Sequence, residues 1–346
     1  MKPILLLSTL QREHAARSGY EALAAALPEA RFLNTIRREP KGGLKLFGAR
    51  VARRFSFSRW YLGGCAELEW KAWKELRAGF SGIIHCLWAD HDLGYLDLVA
   101  GGRRNRFVGS FHNCDDTFIH TIRYPRRLRR FDAIILMSRT QEQFFLDAGV
   151  APERIHVVRH GVDTSFFRPP AEAQATAPEQ PFTVLAAGGY RRNFPLLREV
   201  CLRFKDDAGM QFVIIAPPAF REAFAEFPHV RFLSGLPDEE FLRAYQTASC
   251  LLQTVENATA NNVVMEALAC GLPVVSERIG GIPEYVDDTC SLLTAPRDAD
   301  ALAAALIDLR ASPARRNAMA AAARRLAETL DWSQVAARMR EIYATL

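Results

Sequence analysis

Short apolar runs of strand length recur along the chain, separated by stretches with helical spacing of apolar positions. In the first half the runs are 3–8, 30–36, 82–88, 106–112, 132–138 and 155–159, with helical patterns at 12–27 and 139–148. This βαβ rhythm predicts a mostly parallel sheet with helices on both faces. Residues 168–181 read RPPAEAQATAPEQP, and their four prolines predict a linker over 169–181. The rhythm then restarts. Strands are predicted at 182–189, 211–217, 230–234, 250–255, 272–276 and 291–295. Helices are predicted at 194–205, 238–248 and 261–269, with a helical tail over 299–309, 313–329 and 333–346. The chain is thus read as α/β: two Rossmann-like, doubly wound halves of similar size. Such sheets bind ligands beyond the carboxyl ends of their strands, so two facing halves imply a cleft.

Composition narrows the class without choosing a function. The 346 residues are 49% apolar and 24% charged, which excludes a disordered, collagenous or coiled-coil protein. No apolar run near the start is long enough for a signal peptide or a membrane span, which gives a cytoplasmic expectation. The seven cysteines are far apart with no C-x-x-C pair, as in a reduced protein without a zinc site. Charge is uneven: residues 1–170 hold 27 Lys/Arg against 17 Asp/Glu, and residues 171–346 hold 17 against 22. The basic half suggests an anionic partner.

The usual cofactor and hydrolase signatures are absent. There is no G-x-G-x-x-G, no G-x-x-x-x-G-K-[ST], no H-E-x-x-H and no G-x-S-x-G. The richest segment is 256–284, ENATANNVVMEALACGLPVVSERIGGIPE. Its polar turn 259–262 caps a helix that Gly271 and Pro273 end. Glu266 stands alone in that otherwise apolar helix, and a buried carboxylate needs partners. A pair of ligand hydroxyls could supply them; a nearby Arg is the structural alternative. The helix start, with the backbone N–H groups of Asn262 and Val263, suits an anion. Gly280-Gly281 allows close backbone approach, and Pro283 suits the first turn of a further helix.

These motifs resemble a known family. EALACGLPVV followed by GGIPE is similar to the signature of the retaining family 4, or group 1, glycosyltransferases. LMSRTQEQFFLDA, ERIHVVRHGVDTSFFRP, AGGYRRN and the closing DWSQVAARMREIY are similar to further parts of that family. The resemblance implies the GT-B fold, two Rossmann-like domains facing across a cleft. It implies an acceptor-side domain over 1–168, a donor-binding domain over 182–330, and a helix over 331–346 that packs back on the first domain.

The resemblance also assigns roles. Glu266 matches the second glutamate of the family's E-x7-E pair, which holds the nucleotide ribose. The first would fall at Ala258, so Glu256 or Asn261 takes the sugar contact or the contact is missing. Gly188, Gly189, Arg191, Arg192 and Asn193 lie where the family binds the donor diphosphate, with Arg192 as the equivalent of its basic residue. Thr259, Asn261, Asn262, Val263, Gly280 and Gly281 complete the expected donor cradle. His112, at a strand end, is the expected contact to the transferred sugar or its phosphate; a capping role beside Asn113, Asp115 and Asp116 is its alternative. Gly19 stands in for the family's glycine loop or is a helix kink.

The expected activity is transfer of a sugar from a nucleotide-sugar donor to a saccharide or lipid-linked acceptor, with retained configuration, in cell-envelope or polysaccharide synthesis. No metal or other cofactor is expected, since Arg192 and helix dipoles can supply the charge that the departing diphosphate needs. The alternatives are a sugar-nucleotide epimerase and a non-catalytic relative, the latter motivated by Ala258. The stretch 36–61 holds eight Arg/Lys with Phe47, Phe55, Phe57, Trp60 and Tyr61, and RYPRRLRR at 123–130 repeats the theme. Both suit peripheral contact with an anionic membrane; a solvated helix face with its aromatics in the core is the alternative, and nucleic acid is not an expected partner.

Overall fold

The computed structural model describes residues 2–10, 17, 19–36, 51–102, 104–170 and 181–346. The chain forms two compact units. One is Met1–His160 with Trp332–Leu346, and the other is Gly161–Asp331.

The first unit holds a six-stranded parallel sheet of β1 (Ile4–Leu10), β2 (Arg31–Ile36), β3 (Ile83–Cys86), β4 (Arg106–Phe111), β5 (Ala133–Leu136) and β6 (Ile155–Val157). Their order is β2-β1-β3-β4-β5-β6. The second unit holds β7 (Phe182–Ala187), β8 (Met210–Ile215), β9 (Val230–Leu233), β10 (Cys250–Gln253), β11 (Val274–Glu277) and β12 (Ser291–Thr294), ordered β12-β11-β10-β7-β8-β9. Every strand sits where its apolar run lies, and all pairings are parallel. The second sheet is buried on both faces. Val184, Ala186 and Leu252 enter one core cluster, while Leu185, Ala187 and Leu251 enter the other, following the two-residue period of a strand.

In both sheets the chain starts near the middle, builds to one side and then returns to build the other. The direction switches between β1 and β3 in the first sheet and between β7 and β10 in the second. Loops on either side of such a switch leave in opposite directions, which opens a crevice at the strands' carboxyl ends.

The units divide between His160 and Gly161. Residues 161–168 cluster with the second unit because its own groups hold them. Val162 N–H donates to Leu330 O at 3.0 Å, Thr164 Oγ1 donates to Asp331 Oδ2 at 2.6 Å, and Arg324 reaches the carbonyls of Thr164 and Phe167. The helix Trp332–Thr345 belongs to the first unit, where Arg340 donates to Glu29 Oε1 at 2.6 Å and Tyr343 O–H lies 2.6 Å from His85 Nδ1. Of the linker read at 169–181, residues 171–180 lie outside the described residues, as do residues 12–16 and 18 of the helix read at 12–27; its described part is helical over Ala22–Ala26. Four helices were not anticipated: Gly63–Arg77, Ala89–Asp92, Asp97–Ala100 and Asp115–Thr121. All seven cysteines are buried free thiols.

Candidate functional site

The carboxyl ends of β7 and β10 bring together a set of interacting polar groups in the second unit. Helix Asn262–Ala269 starts just after β10, with Asn261 as its cap: the side-chain oxygen accepts from Val264 N. The Val264 and Met265 amides also reach Asn261 O, at 3.0 and 3.2 Å. Asn262 and Val263 supply the first-turn amides of this helix.

Arg192 joins the two strand ends. Its backbone bridges Val255 in an antiparallel pair. Its side chain folds back so that Nε donates to Ala187 O at 2.9 Å, one terminal nitrogen to Tyr190 O at 3.2 Å, and the other to Asn261 Oδ1 at 3.3 Å. With its amide turned to meet donors, Gln253 also accepts from Nε at 2.6 Å. Burial pushes the Arg192 guanidinium down to about 10, while Tyr245 and Glu266 act the other way, so it stays charged at neutral pH. Gly188 makes room for it. At φ +99°, a Cβ there would lie 2.5 Å from the guanidinium.

Glu266 is buried in helix Asn262–Ala269, and one partner, Tyr245, is not among those weighed from the sequence. Tyr245 O–H, from helix Asp238–Thr247, donates to Glu266 Oε2 at 2.6 Å. Burial, and then the Glu266 charge, push the tyrosine far above its ordinary range, so it remains a donor. The phenol fixes one carboxylate oxygen in place.

Other expected donor contacts have structural work. The Asn193 side chain caps helix Phe194–Arg203 through Leu196 N at 3.1 Å, and its backbone exchanges hydrogen bonds with Thr254. Arg191 takes a left-handed φ of 53°, and its carbonyl accepts from Glu256 N at 2.9 Å. Gly280 takes φ +52°, a Cβ there would meet Ala258 O at 2.3 Å, and the Gly281 N–H donates to that same carbonyl at 2.7 Å. The glycine pair thus holds the 257–258 loop, and the Gly281 amide is already engaged. Thr259 is buried, Glu256 is exposed, and Gly189 is half-buried against Pro217. Glu277 escaped the sequence reading altogether. It is fully buried at the end of β11 and accepts from Val255 N at 3.2 Å and Arg297 N at 2.7 Å, pinning the strand end that Arg192 bridges.

In the first unit, His112 follows β4 within an aromatic cluster. Its ring stacks on Trp88 at 3.8 Å between centroids and meets Tyr20 edge-on at 4.6 Å, while Tyr20 also packs on His160 and Trp332. Nε2 donates to Leu87 O at 2.7 Å. Burial, and then His160, hold the imidazole well below its ordinary range, so it is neutral at pH 7. The backbone amides of His112 and Asn113 both donate to Asp90 Oδ2 at 2.8 Å. Gly19 lies beside Glu21, whose Oε1 accepts from Ser8 Oγ and Trp88 Nε1.

The two basic stretches separate into parts. Phe57 and Tyr61 are core residues, as the alternative reading has it and against the membrane-facing one, while Phe55 is exposed. Phe47 and residues 37–50 lie outside the described residues. Within 123–130, Arg127 pairs with buried Asp97, and Arg129 Nε donates to Ala148 O at 2.9 Å. No described helix is long and apolar enough to cross a membrane, and no group of three or more His, Cys, Asp or Glu gathers as a metal-ligand set among the described residues.

With this geometry in hand, comparison with known proteins is informative. The family model "Glycosyltransferase Family 4" matches residues 13–166, and "Glycosyl transferases group 1" matches residues 181–312. Together they cover both halves, and the chain belongs to the group 1 glycosyltransferase family. Its two parallel six-stranded sheets form the GT-B fold. Over its full length it resembles sucrose-phosphate synthase from Thermosynechococcus elongatus, with a TM-score of 0.73, 16% identity and 99% of that chain covered. Anabaena HepE in complex with UDP-glucose gives a TM-score of 0.73 at 15% identity, with both chains fully covered. The MMP alpha-(1->4)-mannosyltransferase of Mycolicibacterium hassiacum is 31% identical over 224 residues, 61% of this chain and 53% of the relative. The D-inositol 3-phosphate glycosyltransferase of Saccharomonospora viridis is 29% identical over 217 residues, 56% of this chain and 50% of the relative. The chain thus spans about half the length of these curated relatives.

Proposed function

We propose that the chain transfers a hexosyl group from a nucleoside-diphosphate sugar to a hydroxyl of a saccharide or lipid-linked acceptor, with retained anomeric configuration, in the synthesis of cell-envelope or other polysaccharide. The observation that carries this reading is the convergence of Arg192, the Asn261-capped helix start and Glu266 at the β7/β10 switch. The donor diphosphate lies at the Asn262 and Val263 amides beside Arg192. Its ribose hydroxyls donate to Glu266, which Tyr245 orients.

The charge on the departing diphosphate grows as the glycosidic bond breaks. A fixed guanidinium and a helix dipole stabilise that charge without reorganising, and such preorganised groups are worth most where water is excluded. A metal has no required part in this scheme. Retention follows from attack on the same face as departure, since no side chain identifies itself as a glycosyl nucleophile. His112 is neutral, so its part in this scheme is that of a hydrogen-bonding group and not of a cation. The relatives act in keeping with this reading: one is named as a mannosyltransferase, and one structural neighbour was solved with UDP-glucose.

Ala258 supports a second reading, a chain that binds nucleotide sugars without turning them over. A panel of nucleotide sugars with candidate acceptors separates the two. Release of nucleoside diphosphate, with proton NMR of the product anomer matching the donor, supports transfer with retention. An inverted product overturns retention, binding without release supports the second reading, and epimerisation without acceptor overturns both.

A further inference from the structure

Helix Gly63–Arg77 buries one stripe against the first unit, formed by Gly64, Cys65, Leu68 and Ala72. At about 100° per residue the opposite stripe is Ala66, Trp70, Trp73, Lys74 and Arg77, and all five are exposed. Trp70 is 54% exposed and Trp73 is 36%. Two indoles facing water contribute little to the fold and leave apolar surface uncovered. They stack, with ring centroids 4.8 Å apart and planes 18° from parallel. Lys74 Nζ lies 5.6 Å from the Trp70 ring centre, and the Arg77 guanidinium lies 5.5 Å from that of Trp73.

The acidic residues of this helix are all tied elsewhere. Glu69 turns inward and accepts the amides of Gly94, Tyr95 and Leu96 at 2.8–2.9 Å. Glu75 pairs with Arg31 at 2.7 Å, and Glu67 lies 3.3 Å from Lys71. The outward stripe is therefore aromatic and cationic, on a half of the chain with excess positive charge.

We propose that this face of helix Gly63–Arg77 docks on an anionic lipid bilayer, with Trp70 and Trp73 at headgroup depth and Lys74 and Arg77 against lipid phosphates. Charge complementarity selects this occupant. Indoles favour the boundary between apolar and wet surroundings, and long cationic side chains lie along apolar surface while their heads stay with anions. A second copy of the same face would bring like charges together. The proposal gives a place to the lipid-linked acceptor in the reading above, but its test requires no turnover and can fail alone.

The test is cosedimentation of the full chain with phosphatidylcholine vesicles, with and without about one-third phosphatidylglycerol, at low and high salt. The parent is expected to bind the anionic vesicles with a blue shift of tryptophan emission, and to bind the neutral ones weakly. W70A/W73A reduces partition at least about tenfold, W70Y/W73Y keeps most of it, and K74Q/R77Q lowers it about thirtyfold, following roughly 1 kcal/mol per cation. The four side chains are exposed, so the circular-dichroism melt of each variant stays that of the parent. No binding by the parent, undiminished binding by W70A/W73A, or a halved mass for W70A/W73A in light scattering would each overturn the proposal. So would loss of binding on neutralising Arg50, Arg53 and Arg54 with no loss in the tryptophan variants.

Discussion

The two sheets place a crevice at the same topological position and line it with opposite chemistry. At the β7/β10 switch stand a charged guanidinium, a buried carboxylate with its phenol, and a helix start. In the first unit the strand ends carry rings, Tyr20, Trp88, His112 and His160, packed edge to face and stacked, and the carboxylates Glu21 and Asp90 beside them are held by hydrogen bonds. Topology decides where a ligand can sit, and the side chains decide what it is. Charged groups suit a diphosphate, while neutral rings with apolar faces and polar edges suit a sugar. The difference also extends to protonation. Burial lowers Arg192 only to about 10, leaving it charged, whereas it leaves His112 uncharged.

The largest expected effect comes from removing the charge at the second switch. Arg192→Ala should lower kcat about 10²–10³-fold, the cost of losing a preorganised donor to developing negative charge. Arg192→Lys keeps the charge but loses the fork that bridges Ala187, Tyr190 and Asn261, and should fall between. Steady-state kinetics of both variants ranks charge against geometry; equal activity in all three proteins would remove Arg192 from the chemistry. Next, Glu266→Gln should weaken donor binding by about 1.5–3 kcal/mol, read by calorimetry, because two ribose hydroxyls lose a charged acceptor. The amide still accepts from Tyr245, so the fold should persist. Unchanged affinity with a collapsed melting temperature would make Glu266 a structural residue.

The neutral side of the comparison shows in the pH dependence of stability. His85 lies between Tyr343 O–H and Ser110 Oγ, and burial pushes it down to about 3. The unfolded chain protonates histidine near 6.5. His85 and His112 therefore bind protons in the unfolded chain first. Their contribution to stability is complete above about pH 6.5 and is lost as pH falls toward the lower folded values. Melting temperatures from pH 7.5 to 5 should decline, and His85→Gln should flatten that slope although it destabilises the chain overall. A slope as steep in His85→Gln as in the parent would contradict the assignment. The smallest expected effect is none: transfer should persist in excess chelator, and a complete loss restored by magnesium or manganese would end the metal-free scheme.

Much of this was legible in the sequence because it is local. Apolar runs broken by Gly, Pro and polar clusters locate every strand, and Asn261 three residues before Val264 marks a helix start. What escaped depends on contacts between distant segments. Tyr245 lies 21 residues before Glu266 and reaches it only after two elements pack. Glu277 lies one residue beyond the strand read at 272–276, and its role shows only where Val255 and Arg297 converge on it. Helix Gly63–Arg77 was missed for a different reason. Gly63-Gly64 looks like a turn, and the helix presents its indoles outward, so its apolar positions do not form the single inward stripe that signals an amphipathic helix. Ala258 reads as a missing glutamate; in the structure its carbonyl holds Gly281, and its closeness to Gly280 forbids a Cβ there.

The central claim is that the second unit's switch point holds the diphosphate end of a nucleotide sugar. Thermal unfolding of the parent and of an Arg192→Ala/Glu266→Gln double variant, screened against nucleoside diphosphates and their sugars, tests it most directly. At about 100 times its dissociation constant a ligand adds about 2.7 kcal/mol, which raises the melting temperature of a unit this size by about 5–10 °C. The account predicts such a rise for at least one nucleotide in the parent and its loss in the double variant. No rise with any nucleotide, or an equal rise in both proteins, would contradict it.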